Sequence, residues 1–378
     1  MDTQQTINDW DDLNLKTDLL RGIYSYGFEK PSDIQKKAIY PIITHNDVIA
    51  QAQSGSGKTG AFSVSALQVV DTNVCETQVL IIAPTRELVN QIYSVITNIG
   101  NNMQGLYVKS LVGGSSIKHD ISNMRKHTPH IIVGCAGRVF DMIRRKRINV
   151  ETVKLFILDE ADEMLSGGFK DQIYEIFQYF NENVQVAIFS ATMPSDVLQL
   201  TDKFMRTPVK IVVKKEELSL ECIEQKFVAL HGDLDKFEML KKIFDIISIN
   251  QCIIYCNSVR RVNELYDSMT KDGFSVCAIH SSMEKVDRET IFKTFRSGGS
   301  RVLISSDVTA RGIDIQQVST VINFDIPNSV HTYLHRIGRS GRWGRKGLAI
   351  NFITKSDIKQ MRTIETHYKI NIEELQTC

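Results

Sequence analysis

The chain has 378 residues, with 45 Lys and Arg against 44 Asp and Glu, a formal net charge of +1, and it is 42% hydrophobic and 24% charged. That composition excludes intrinsic disorder and small disulfide-stapled folds. The charge balance excludes a polybasic chain that coats nucleic acid through bulk charge, so any nucleic-acid contact must use local basic clusters. At about 150 residues per domain, the length predicts roughly two to three domains, each able to bury its own core. No apolar stretch approaches the ~18 residues of a membrane span, and the polar start Met1-Asp2-Thr3-Gln4-Gln5 is unlike a secretion signal, so neither membrane insertion nor export is expected. The seven cysteines are odd in number and include no Cys-x-x-Cys pair, which predicts free thiols in a reducing compartment and no zinc site.

In chain order, short apolar runs of strand length fall at residues 47–50, 79–83, 107–112, 130–134, 155–158 and 185–189, with helical periodicity between them. This alternation predicts a parallel sheet with helical crossovers. After Pro208 the charged stretch Lys214-Lys215-Glu216-Glu217 lacks apolar periodicity, and residues 212–221 read as a linker. A second series of runs follows at 225–230, 252–255, 275–279, 301–305, 320–323 and 348–352. The predicted fold class is therefore α/β, with two domains in tandem at 37–211 and 222–378 and an N-terminal segment 1–36. Any internal repeat must lie in the structure, because none is visible in the residues.

The first motif is Gly27-Phe28-Glu29-Lys30-Pro31-Ser32-Asp33-Ile34-Gln35. Ser32 and Gln35 have the spacing of a helix capping box, which is a complete structural reason for both. A second reading gives the Gln35 amide a bidentate contact to adenine N6 and N7, with Phe28 stacking on the base. The residues alone leave both open.

The first strand then runs into Ala52-Gln53-Ser54-Gly55-Ser56-Gly57-Lys58-Thr59 and a helix, which is a P-loop in context. Small residues let backbone N–H groups turn inward around phosphate oxygens at a helix N-terminus. Lys58 would reach the β and γ phosphates, and Thr59 would offer its hydroxyl to Mg²⁺. About a hundred residues later the apolar run 155–158 ends in Asp159-Glu160-Ala161-Asp162, an acidic strand end of the kind that partners a P-loop. Asp159 would hold the Mg²⁺ site and Glu160 would orient and deprotonate the attacking water. Between these motifs, Arg144-Arg145-Lys146-Arg147 closes a predicted helix, where cations favour the carbonyl end of the dipole.

Taken together and in this order, the motifs resemble the DEAD-box RNA-dependent ATPases of helicase superfamily 2, over almost the whole chain. The resemblance implies two RecA-like domains, ATP and Mg²⁺ as cofactors, and Ala52 as the family's own residue at the first P-loop position. It supports the adenine role of Gln35 and places an isolated aromatic where Trp10 stands. Pro84-Thr85-Arg86-Glu87-Leu88, Gly113-Gly114 and Cys135-Ala136-Gly137-Arg138 match first-domain elements that track an RNA backbone, and this assigns Arg86, Gly114 and Arg138 to RNA. In the second domain it assigns Asn257, Arg288 and Ser306 to RNA and Asp314 to the ribose. Arg339 and Arg342 become arginine fingers for the transferring phosphoryl group. Asp162, Ser190, Thr192 and His335 would couple nucleotide state to domain closure.

Three departures from the family pattern bear on RNA: Cys135-Ala136 replaces the usual Thr-Pro, Ser281-Ser282 stands where Gly-Asp is common, and Lys285 replaces glutamine. The implied activity is ATP-dependent local unwinding of short RNA duplexes, with the likeness strongest to members that act in translation initiation. The alternative is an ATP-gated clamp that holds RNA within a larger complex while hydrolysis is suppressed. The implied partners are RNA, bound without sequence preference, and scaffold or accessory proteins that supplement a monomeric core. The cytoplasm is the expected location, with the nucleus as the alternative.

Overall fold

The chain divides into two compact units, residues 1–214 and 215–378. In this computed structural model the described residues are 7–52, 55–166, 168–212, 223–246, 251–307, 318–340 and 347–376.

In the first unit seven parallel strands, β1 (Val48–Gln51), β2 (Val79–Ile82), β3 (Val108–Leu111), β4 (Ile131–Gly134), β5 (Leu155–Leu158), β6 (Gln185–Ser190) and β7 (Val209–Val212), lie in the order β3-β4-β2-β5-β6-β1-β7. The connecting helices are α1 (Thr17–Ser25), α2 (Asp33–Ile43), α3 (Lys58–Val69), α4 (Arg86–Ile99), α5 (Ile117–Lys126), α6 (Ala136–Arg144), α7 (Ala161–Ser166), α8 (Lys170–Gln178) and α9 (Ser195–Phe204). They cover both faces of the sheet, which is why β2 and β5 are apolar and buried at every position. Period-two alternation divides each strand between two layers. Val79 and Ile81 pack with Phe62 and Ile96 on one face, and Leu80 and Ile82 pack with Met142 and Leu200 on the other.

Two expectations shift at the edges of this unit. Strand β7 escapes the sequence reading because it is a short edge strand, Val-Lys-Ile-Val, interrupted by a lysine and with only Ile211 buried. Val212, expected to begin the linker, instead ends this strand, and residues 213–221 lie outside the described residues. The N-terminal segment belongs to the first core: Trp10 is fully buried there with Leu13, Leu19 and Ile23. Asp9 and Asp12 form a reciprocal capping box around the short turn Trp10–Leu13, which fixes the indole's entry into the core.

The second unit holds β8 (Ile223–Ala229), β9 (Cys252–Tyr255), β10 (Val276–Ile279), β11 (Val302–Ser305), β12 (Thr320–Asn323), β13 (Gly347–Ile353) and β14 (Glu373–Glu374), in the order β10-β11-β9-β12-β13-β8-β14. Its helices include α10 (Asp235–Ile246), α11 (Val259–Lys271), α12 (Lys285–Arg296), α13 (Val330–Ile337) and α14 (Ile358–Tyr368). The strand order repeats that of the first unit position for position, with β8 in the place of β1 and β12 in the place of β5. The two-residue edge strand β14 is too short to read from sequence. Among the described residues the cysteines are free; burial pushes the thiols of Cys252 and Cys256 far above their usual range and makes them inert. No helix of the described residues is long and apolar enough to cross a membrane.

Candidate functional site

The chemistry of the first unit gathers where the loops leave the carboxyl ends of β1, β5 and β6, the general location of ligand sites in open α/β sheets. The β1 loop opens as Ala52 N–H donates to the Ser190 carbonyl at 3.0 Å, prolonging the strand pairing. Gly55 and Gly57 then adopt φ of 84° and 101°, values that a side chain resists. Gly57 also has no room to spare, since a Cβ there would lie 2.5 Å from Ser32 Oγ. Lys58 begins α3 with its Nζ buried, donating to the Ala52 carbonyl at 2.7 Å and standing 3.8 Å from Glu160 Oε1. Thr59 follows it in the first turn of α3, half-buried. Ser56 is half-buried and its carbonyl accepts from Ser32 Oγ at 2.8 Å. Gln53 and Ser54 lie outside the described residues.

Asp159 and Glu160 follow β5 and are almost fully buried. Burial, reinforced by the neighbouring Glu160 carboxylate, pushes the Asp159 carboxyl up to about 8. Glu160 N–H donates to Asp159 Oδ1 at 3.0 Å, and Glu160 sits at φ 49°, a strained backbone for a non-glycine residue. Its Oε2 is buried without a hydrogen-bond partner among the described residues. Two adjacent buried carboxylates, one of them with an oxygen that has no hydrogen-bond partner among the described residues, are the hard oxygen donors that suit Mg²⁺. Asp162, in the first turn of α7, takes up a separate bond set. Its N–H donates to Ser190 Oγ at 3.2 Å, its Oδ2 accepts from Thr192 Oγ1 at 2.7 Å, and Ser190 Oγ donates to the Thr192 carbonyl at 2.7 Å. The segment after β6 is thus tied to the acidic segment after β5 by side chains.

The glutamine ahead of the loop makes its capping-box bond and a second bond to the phosphate loop. Ser32 N–H donates to Gln35 Oε1 at 2.7 Å, which is the capping box. Gln35 Nε2 donates to the Gly57 carbonyl at 3.2 Å, so the same amide clamps the phosphate loop. One amide hydrogen and one lone pair remain, as a bidentate adenine contact requires. Gly60 keeps the approach open, because a Cβ there would lie 2.4 Å from Gln35 Nε2 and 3.0 Å from Phe28 Cε2. Phe28 stacks on Trp10 with ring centroids 6.1 Å apart and planes 11° from parallel.

At the carboxyl ends of β2, β3 and β4 the structure brings Arg86, Gly114 and Arg138 into one region. Arg86 lies against the bare backbone of Gly113 and Gly114, where a Cβ on Gly114 would meet its Nη1 at 2.8 Å. Arg138 has a different environment. Its Nη1 donates to Asp120 Oδ2 at 2.6 Å and to Ser115 Oγ at 3.0 Å, and its Nη2 donates to the Ser115 carbonyl at 2.9 Å. Cys135 occupies the cap position of α6 without a side-chain cap bond, so the hydroxyl lost with the family's threonine is not replaced there. The basic run at the end of α6 is exposed, with Arg145 paired to Asp141 at 2.8 Å and Arg144 over the Phe140 ring at 5.6 Å, as the helix-end reading expects.

In the second unit Asn257 follows β9, and its Nδ2 donates to the Ile326 carbonyl at 2.8 Å. Ser306 follows β11, buried, with its hydroxyl unpartnered among the described residues. Arg288 is buried in the first turn of α12, and His335 is buried in the last turn of α13. Arg339 lies just beyond α13 with Nε donating to the His335 carbonyl at 3.3 Å. Asp314 and Arg342 lie outside the described residues. Sequence reasoning missed Arg336, the fully buried neighbour of His335. Its guanidinium donates to Asp307 Oδ1 at 2.6 Å, Asn257 Oδ1 at 2.7 Å and the Asp325 carbonyl at 2.7 Å, tying the ends of β9, β11 and β12 to α13. The available signal was an arginine at a helix position that must face the sheet, among acids that end apolar strands.

This fold, with a phosphate loop facing an acidic strand end, is that of a P-loop nucleoside triphosphatase, and the chain belongs to the DEAD/DEAH box helicase family. That family's domain matches residues 32–200, and the helicase conserved C-terminal domain matches residues 235–344. Similar relatives include the protein named ATP-dependent RNA helicase eIF4A of Pyricularia oryzae, 51% identical over 98% of this chain and 93% of its own. Eukaryotic initiation factor 4A of Caenorhabditis elegans is 50% identical over 98% of this chain and 92% of its own. Among solved structures, S. cerevisiae Dbp5 bound to RNA and ADP BeF3 aligns at TM-score 0.89 and 34% identity, over 97% of this chain and 95% of that one. Mss116p bound to ssRNA and AMP-PNP aligns at TM-score 0.88 and 27% identity, over 100% of this chain and 81% of that one.

Proposed function

We propose that the chain is an RNA-stimulated ATPase that locally unwinds short RNA duplexes in translation initiation. The observation that carries the ATPase is the buried set Lys58, Asp159 and Glu160 beside a loop whose glycines leave space for phosphates. Lys58 Nζ, held by one backbone carbonyl, is placed to exchange that contact for phosphate oxygens. Glu160, with one carboxylate oxygen uncommitted, orients the attacking water and accepts its proton. Thr59 and Asp159 are the residues that would hold Mg²⁺, which when bound neutralises phosphate charge. Gln35 selects adenine through its remaining donor and acceptor, with Phe28 against the base. The Asp162–Thr192–Ser190 bonds give nucleotide state a route to the segment after β6.

Arg86 and the Gly113-Gly114 backbone offer a guanidinium and backbone N–H groups to phosphates. Asn257, Arg288 and Ser306 are the corresponding candidates in the second unit, and contacts to backbone and 2′-OH groups favour RNA without reading sequence. Arg339 and Arg342 are assigned to transition-state charge and Asp314 to the ribose. Accessory proteins and a cytoplasmic location fit an initiation role. The names of the relatives favour a turning-over helicase over a static clamp. The test is steady-state ATP hydrolysis with single-stranded RNA, with DNA of the same sequence and without nucleic acid, repeated with GTP. Stimulation by RNA alone and preference for ATP are expected; equal stimulation by DNA, or GTP used as well as ATP, would refute the reading.

A further inference from the structure

The geometry points to Asp120 as the positioning residue that shapes the RNA-facing loop of the first unit; this rests on the RNA role proposed above. Asp120 lies in the first turn of α5 and is 4% exposed. Its Oδ1 is 3.1 Å from Lys109 Nζ on β3, and its Oδ2 accepts from Arg138 Nη1 on α6 at 2.6 Å. The Ser115 hydroxyl lies 3.0 Å from the same Oδ2 and 3.0 Å from the Val112 carbonyl. One carboxylate therefore joins the end of β3, the Gly113–Ser115 loop and the start of α6.

The charges give the brace its direction. Lys109 and Arg138 are both largely buried, with side chains 16% and 8% exposed, and without Asp120 they would face each other unpaired. Removing one member of such a buried set costs more than the bond itself, because a desolvated charge is left behind. With Asp120 in place, Arg138 grips the Ser115 carbonyl at 2.9 Å and fixes the loop in which Gly114 holds φ 83°. That same loop supplies the surface on which Arg86 lies. Arg138 thus acts by holding the loop, and its donors are turned toward protein acceptors. The brace also bears on the Cys135 departure, since α6 begins with no side-chain cap and Arg138 in its first turn is tied to Asp120 and Ser115.

Asp120→Asn keeps the shape and removes the charge. The expected result is an RNA KM raised about 10-fold, the loss of one charged hydrogen bond, with kcat at saturating RNA, KM for ATP and RNA-independent turnover within twofold of wild type. Asp120→Glu restores the charge and is expected to recover most of the RNA KM. Ser115→Ala, a loop change that tests the inference even where the Asp120 variants fold poorly, is expected to raise the RNA KM about threefold. An RNA KM that stays within twofold of wild type in both Asp120→Asn and Ser115→Ala overturns the inference. So does a parallel fall in kcat and ATP affinity, which marks general instability. A wild-type protein that RNA does not stimulate fails the proposed function itself, which separates the two outcomes.

Discussion

After β1 the chain turns through Gly55 and Gly57 at positive φ and delivers Lys58 to a backbone carbonyl and the edge of Glu160. After β8, in the matching place of the second sheet, it runs through His231, Gly232 and Asp233 and delivers Lys236 to Asp233 and Asp325, each at 3.0 Å. Asp325 follows β12 as Asp159 follows β5. Asp325 is fully engaged, by Lys236, by Arg261 Nε at 3.2 Å and by the Asn257 N–H at 3.1 Å. Arg261 also pairs bidentately with Asp233. A cleft of about 720 Å³ lined by these residues persists in the second unit, yet its cations answer to the chain's own carboxylates. The comparison teaches that strand order places a cleft, while loop glycines and the partnering of one lysine and one acid decide whether the cleft has phosphate to bind.

The largest expected effect breaks the comparison at the acid. Glu160→Gln should lower kcat for ATP about 1,000-fold, within the range of general-base losses, while a fluorescent ATP analogue still binds. Retained turnover would mean that another group activates the water. The next contrast is between the lysines. Lys58→Ala should cut kcat/KM for ATP about 100-fold with little change in melting temperature. Lys236→Met should leave kinetics alone and cost about 2 kcal/mol of stability in a denaturant titration, since it strips a buried partner from Asp325. The reverse pattern would assign the second cleft to nucleotide. The smallest effect sharpens the base pocket: Gly60→Ala pushes on Gln35 Nε2 and Phe28 and should reduce the ATP-to-GTP preference about 10-fold, read from the ratio of kcat/KM values.

The interior strands were legible because both faces of each sheet are covered, so β2, β5 and β9 are unbroken apolar runs. The edge strands β7 and β14 were not, because exposed pairing leaves no pattern in side chains. At the site, Lys58, Asp159 and Glu160 were readable from the motif that spaces them. The double duty of Gln35, capping a helix while clamping the loop at Gly57, was not, since the second bond joins segments that only folding brings together. Arg138 shows the same limit, because its partner Asp120 is identified by proximity alone.

Trp10 is one of only two tryptophans in the chain, and its ring lies parallel to Phe28 beneath the proposed base pocket. The molecule therefore carries a native fluorophore beside the proposed adenine pocket of its first unit, one aromatic ring removed from Gln35's side of it. Shortening the protein past this turn would strip away both the optical reporter and the floor on which Phe28 rests.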